Sequence, residues 1–171
     1  GWTDNSVPNV IGTAGAHQNV YGGGGYDAFL AKFSPAGVRL WGTHYGGNDV
    51  DMAYDCETDL LGNVYVAGKT TSTNSVSTVG CHQPSYGGGS FDAFLVSLNA
   101  TTGTRNWATY YGGSGDEESW GCSVHKSGHI MMTGHTGTSG GTVIATPGSH
   151  KPTFGGGLWD AFMVQFDPST N

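Results

Sequence analysis

Three motifs recur in the same order at nearly one spacing, and this periodicity confines the chain to a fold made of repeated units. The first is Tyr26-Asp27-Ala28-Phe29-Leu30, which returns as Phe91-Asp92-Ala93-Phe94-Leu95 and Trp159-Asp160-Ala161-Phe162-Met163. Its aspartates lie 65 and 68 residues apart, and each copy follows a glycine-rich run at 22–25, 87–89 or 155–157. The second, Trp41-Gly42-Thr43-His44-Tyr45-Gly46-Gly47, recurs 66 positions later as Trp107-Ala108-Thr109-Tyr110-Tyr111-Gly112-Gly113. The third, Gly62-Asn63-Val64-Tyr65-Val66-Ala67-Gly68, recurs at the same offset as Gly128 to Gly134. Three motifs in constant order at one period mark internal repeats.

The middle unit contains four short alternating runs between turn residues. They predict strands over Asp51–Thr58, Val64–Lys69, Phe91–Leu98 and Thr104–Tyr111. Tight turns at 59–63 and 100–103 and a long Ser/Thr/Gly loop ending at Ser90 join them. Four antiparallel strands per unit is the pattern of a β-propeller blade, so the expected fold class is all-β with propeller blades. Gly1-Trp2-Thr3 aligns with Gly68-Lys69-Thr70 and Gly134-His135-Thr136. Residues 1–47 then hold the end of a second strand plus the third and fourth strands of one blade. Residues 48–113 form a complete blade, and 114–171 the first three strands of another. About two and a half blades imply a larger propeller, completed by further chain beyond both ends or by several copies closing together.

Composition removes several function classes. Glycine accounts for 31 of 171 residues and charged residues for only 11%. With 5 Trp, 8 Tyr and 7 Phe, the chain is too aromatic and too weakly charged for disorder. The net charge is −7 with six scattered Lys and Arg, which leaves no basic stripe for a phosphate backbone and argues against nucleic acid. No apolar run approaches the ~20 residues of a helical membrane span, so membrane insertion is not expected. Cys56, Cys81 and Cys122 lack the C-x-x-C spacing of zinc or redox pairs.

The segments DAFLAKF (27–33), LWGTHYGG (40–47) and GNVYVAGKT (62–70), with the loop signature Gly80-Cys81-His82-Gln83 to Gly87-Gly88-Gly89, resemble the bacterial seven-bladed β-propeller repeat family. The resemblance covers nearly the whole chain. It implies a propeller module of secreted or cell-surface proteins, arranged in tandem and without an established catalytic residue set. It further implies that the first strands, Asp51–Thr58 and Glu118–His125, lie innermost, with the fourth strands bearing Trp41 and Trp107 outermost. The family favours an aliphatic residue where Cys56 and Cys122 stand, 66 positions apart. Both are therefore expected as buried thiols. Equivalent positions on neighbouring blades follow one another around an axis and do not face, which disfavours a disulfide.

Repetition also decides how individual residues are read, because a catalytic residue is needed once and a structural one in every unit. Asp27, Asp92 and Asp160 are expected to hold the corner between the glycine run and the third strand through bonds to nearby backbone amides. His17, His82 and His150 share one loop position, and Trp41 and Trp107 are read as packing residues. Gly46, Gly47, Gly112 and Gly113 mark the passage to the next unit, while Trp2, Trp120 and Trp159 carry no assigned role. Asp49, Asp51, Asp116, Glu117 and Glu118 are the best candidates for a cation, which would be calcium. They read first as solvated acidic turns, and no cofactor is expected.

The favoured function is a non-enzymatic, extracellular structural or adhesive module. The alternatives are a carbohydrate-binding propeller and a subunit of a surface filament. The expected partners are neighbouring repeats of the same or other copies, and surface glycans or proteins. Because the acidic loops are too short for a closed oxygen cage, EDTA is expected to shift the melting temperature by no more than a few degrees. A larger fall would restore the acidic loops as a cation site.

Overall fold

The computed structural model describes residues 1–4 and 10–168. Ten strands form three antiparallel sheets, with no α-helix among the described residues. The first sheet has the order β1 (Trp2–Thr3), β2 (Asp27–Phe33), β3 (Arg39–Tyr45). The middle sheet runs β4 (Asp51–Thr58), β5 (Asn63–Thr70), β6 (Asp92–Asn99), β7 (Arg105–Tyr111). The third is β8 (Glu117–Val124), β9 (Ile130–Thr136), β10 (Asp160–Phe166). The short β1 pairs with β2 through Trp2 opposite Ala28 and Thr3 opposite Asp27, as the alignment of Gly1-Trp2-Thr3 with a second strand requires.

Side chains of a strand alternate between its two faces, and in the middle sheet both sets are apolar. Val64, Val66, Phe94, Val96, Leu98 and Tyr110 face the first sheet, where they pack with Ala28, Trp41 and Tyr45. Tyr65, Ala67, Ala93, Leu95 and Tyr111 face the third sheet, where they pack with Cys122, Ile130, Met132, Phe162 and Phe166. Full burial of each large side chain contributes about 1.5–3 kcal/mol, so the cores lie between the sheets and not within any one of them.

Equivalent tyrosines secure both joints. Tyr45 donates its hydroxyl hydrogen to the carbonyl of Val76, and Tyr111 donates to that of Ile144 at 2.6 Å. Trp41 packs on the turn at Gly103, and its indole N–H donates to the Ala100 carbonyl at 3.2 Å. The first strands approach each other, with the Cys122 amide donating to Asp55 at 2.9 Å. The fourth strands, β3 and β7, occupy the opposite sheet edges.

Cys56 departs from expectation. It is exposed, whereas its counterpart Cys122 is buried, and all three cysteines are free thiols. The two do hold equivalent registers, opposite Val66 and Met132. Cys122 is covered because it lies on the backbone of Tyr65 in β5. The corresponding strand beside Cys56 is only Trp2–Thr3, so that surface stays open.

The first two glycine runs cross the turn that leads to the next sheet at backbone contact. Gly89 has φ +65°, and a Cβ there would fall on the carbonyl of Gly115; Gly24, at φ +69°, meets Asp49 in the same way. A side chain at either position would be strained and would also push the sheets apart. Gly89→Ala is expected to destabilise the fold by about 2 kcal/mol or more. Gly62→Ala, also at positive φ but facing open space, should cost only about 1 kcal/mol. Equal losses in denaturant unfolding would show that the close crossing does not matter.

Candidate functional site

The repeated aspartates hold the corners between glycine run and strand. Asp27 accepts from the Gly22 amide at 2.6 Å and from Gln18 at 3.1 Å, and Asp92 accepts from Gly87 at 2.7 Å and Gln83 at 3.1 Å. Asp160 accepts from the Gly155 amide and from Lys151, at 3.0 Å, in place of the glutamine. The glutamines also accept from the next turn: Gly46 N–H reaches Gln18 at 3.2 Å, and Gly112 N–H reaches Gln83 at 3.0 Å. A Cβ on Gly46 would strike the Asp51 carboxylate, and one on Gly112 the Asp92 carboxylate. The paired glycines thus leave room for carboxylates at each joint.

Three of the acidic candidates are not in solvated turns. Asp51 and Glu117 are fully buried and Glu118 nearly so. Asp51 accepts from the Gly47 amide at 2.9 Å and the Ser72 hydroxyl at 2.8 Å; Glu117 accepts from the Gly113 amide at 2.7 Å and from Thr136. They lie at the start of strands whose first residues turn inward between two sheets, and neighbouring N–H and O–H groups replace water. Asp49 is exposed and Asp116 half-buried, each accepting a backbone amide, from Val50 and Ser90 respectively. No group of three or more His, Cys, Asp or Glu side chains among the described residues is placed to hold a metal ion.

Burial raises the carboxyl of Asp27 to about 6 and that of Asp92 to about 7, against opposing bonds from Gly22 and Gly87, with the charges of Asp51 and Glu117 adding to the rise. Asp51 is raised for the same first reason. Asp160 shifts the other way: the Gly155 amide and Lys151 stabilise its carboxylate.

Beside these corners lie two equivalent open grooves. One, of about 370 Å³, is lined by His17, Gln18, Gly22, Gly46 and Gly47; the other, of about 560 Å³, by His82, Gln83, Gly87, Gly112 and Gly113. The histidine rings lean on the joint tyrosines, His17 on Tyr45 and His82 on Tyr111. Burial lowers the His17 imidazole to about 4. Glycines make up part of each wall, joined by Asn48, Asn74 and Arg105 in the first groove and by Ser114, Thr138 and Thr142 in the second.

The second surface feature is a band of aromatic rings across the three sheets. In β4 the ladder skips from Ala53 to Asp55, and in β8 from Ser119 to Gly121. Tyr54 and Trp120 are the extra residues of these two bulges. The bulges face Gly68 and Gly134, where the opposing backbone comes too close for any Cβ. Tyr54 stacks on Trp120 at 5.0 Å and meets Trp2 edge-on at 5.7 Å, while Phe91 stacks on Trp159 at 6.3 Å.

Between these stacks sit Lys69 and its counterpart His135. Lys69 lies 4.6 Å from the Phe91 ring centre and 2.9 Å from Glu118. His135 lies 4.2 Å from Trp159 and 3.5 Å from Glu118, and its Nδ1 accepts from the Trp120 indole at 3.0 Å. Sequence reading left Trp2, Trp120 and Trp159 without a role and missed Tyr54, Lys69, Phe91 and His135. The available signal was that these residues fall at matching repeat positions.

No family model and no curated protein matches this chain. The buried carboxyls generate a pH prediction. Because the folded state binds the Asp92 proton more tightly than the unfolded chain, its contribution is fully present below about pH 4 and is lost as pH rises through about 7. The melting temperature of Asp92→Asn relative to wild type is therefore expected to rise between pH 4 and pH 8. A difference independent of pH would show that Asp92 stays ionised throughout.

Proposed function

We propose that this chain is a non-catalytic, extracellular structural and adhesive module built of β-propeller repeats, with the aromatic band as its contact surface. The reading rests chiefly on one observation: the aspartates and glutamines that recur in the first two units make the same corner bonds in both. Asp27 and Asp92, Gln18 and Gln83, and Gly46 and Gly112 all make matching corner bonds. Such a set holds units together, which suits a structural module. The three-sheet arrangement with four strands in the middle unit suits a propeller series, and the resemblance in the repeat motifs suits a secreted or surface location.

A carbohydrate ligand is the second reading, and the band favours it. Trp120 is 56% exposed, and the carboxylate of Glu118 lies beside it between Lys69 and His135. Ring faces next to hydrogen-bonding groups suit the apolar face and hydroxyl rim of a sugar. The test is retention of cells and of arrayed glycans on the immobilised chain. Replacing Trp120 and Trp159 together by Ala is expected to lower retention at least tenfold, with the melting temperature changed by only a few degrees. Undiminished retention would remove the band as the contact surface, and glycan silence with intact cell retention would remove the sugar reading alone.

A further inference from the structure

We infer that the two outer sheets present the two halves of the joint that connects the sheets internally, and that a second copy of this chain docks there head to tail. The joint occurs twice within the molecule with the same parts. Its donor face carries Ala28, Leu30 and Tyr45 in the first sheet, and Ala93, Leu95 and Tyr111 in the middle sheet. Its acceptor face carries Phe94, Val96 and Leu98 in the middle sheet, and Phe162, Val164 and Phe166 in the third. The middle sheet shows both faces and has both covered.

The outer sheets each have one face left over. On the first sheet it is the acceptor face: Phe33 is 57% exposed where its counterpart Leu98 is 1% exposed. On the third sheet it is the donor face: Met163 is 71% exposed where Leu95 is 0% exposed, and Ala161 beside it is exposed where Ala93 is buried. Each leftover face therefore carries the apolar strand residues that pack on the other, although the third sheet has no fourth strand among the described residues to bring a joint tyrosine. Apolar patches of this kind on soluble proteins mark interaction surfaces.

The occupant is argued from continuity with the internal joint, because the surface that already packs on an acceptor face here is a donor face of this same chain. The contact is heterologous, joining different faces, so it closes into a ring if the rotation per copy allows and extends into a fibre if it does not. The argument uses none of the aromatic band and holds whatever that band contacts.

The test uses the 171-residue chain in sedimentation velocity from about 1 to 300 μM. Wild type is expected to associate with concentration. Phe33→Glu spoils only the acceptor face, and Met163→Glu spoils only the donor face. Both sites are exposed, so each variant should keep the wild-type circular dichroism, and Ala31→Glu, at the position of Val96 and Val164, stands in for Phe33→Glu if that variant misfolds. Each variant alone is expected to associate at least tenfold more weakly than wild type. An equimolar mixture of the two should form a 1:1 dimer and stop there, because one intact donor face meets one intact acceptor face. Wild type that remains monomeric throughout overturns the inference, as does association that neither substitution weakens. Self-association of one variant as strong as that of the mixture indicates same-face pairing and overturns it as well.

Discussion

Burial of the middle sheet on both faces is the constraint on which the rest of the structure depends. A sheet with alternating apolar residues on each side has no solvated face and cannot be stable as a single layer. Phe94 and Leu95 are adjacent in β6, point to opposite sides and are both fully buried. The first face is closed by the first sheet and the second by the third. Stability is therefore a property of neighbouring pairs, as in other repeat architectures. Weakening one joint is expected to loosen a whole sheet.

That requirement puts polar chemistry where the sheets converge. Bringing two layers to backbone contact demands glycine at Gly24 and Gly89, and the turns after β3 and β7 must also pass close by. Their amides would be stranded without acceptors. Carboxylates supply them, with Gly22 and Gly47 bonded to Asp27 and Asp51, and Gly87 and Gly113 to Asp92 and Glu117. The consequence is electrostatic. Two acids share each joint away from water, which favours the neutral form of Asp27 and Asp92. At the third corner, which is less buried, the Gly155 amide and Lys151 favour the charged form of Asp160 instead. One repeat position thus has two protonation behaviours, set chiefly by how deeply the corner is buried.

Much of the strand framework was legible in the sequence. The strand expected over Asp51–Thr58 has those bounds, and the other three of the middle unit are displaced by one residue or so at their ends. This follows because β alternation and Gly/Asn turns are local signals, repeated with each unit. The burial of Asp51, Glu117 and Glu118 was not legible. A run such as Gly-Asp-Glu-Glu has the composition of a solvated turn, and only the arrival of the next sheet encloses it. Cys56 failed for the converse reason: its own strand is like that of Cys122, but its burial depends on a strand of the neighbouring sheet.

The aromatic band shows the same division between local and non-local causes. Tyr54 and Trp120 sit within strands whose alternation would place them in the ladder. They leave it because Gly68 and Gly134 let the opposing backbone crowd in, and the first strand takes up the excess as a bulge. Glycine on one strand therefore decides where an aromatic ring on another is displayed. The bulge is repeated, but the residue displayed varies between Tyr54 and Trp120, as does the cationic or titratable partner between Lys69 and His135. A structural device held constant beside a variable set of side chains lets a repeat keep its packing while each unit presents its own surface.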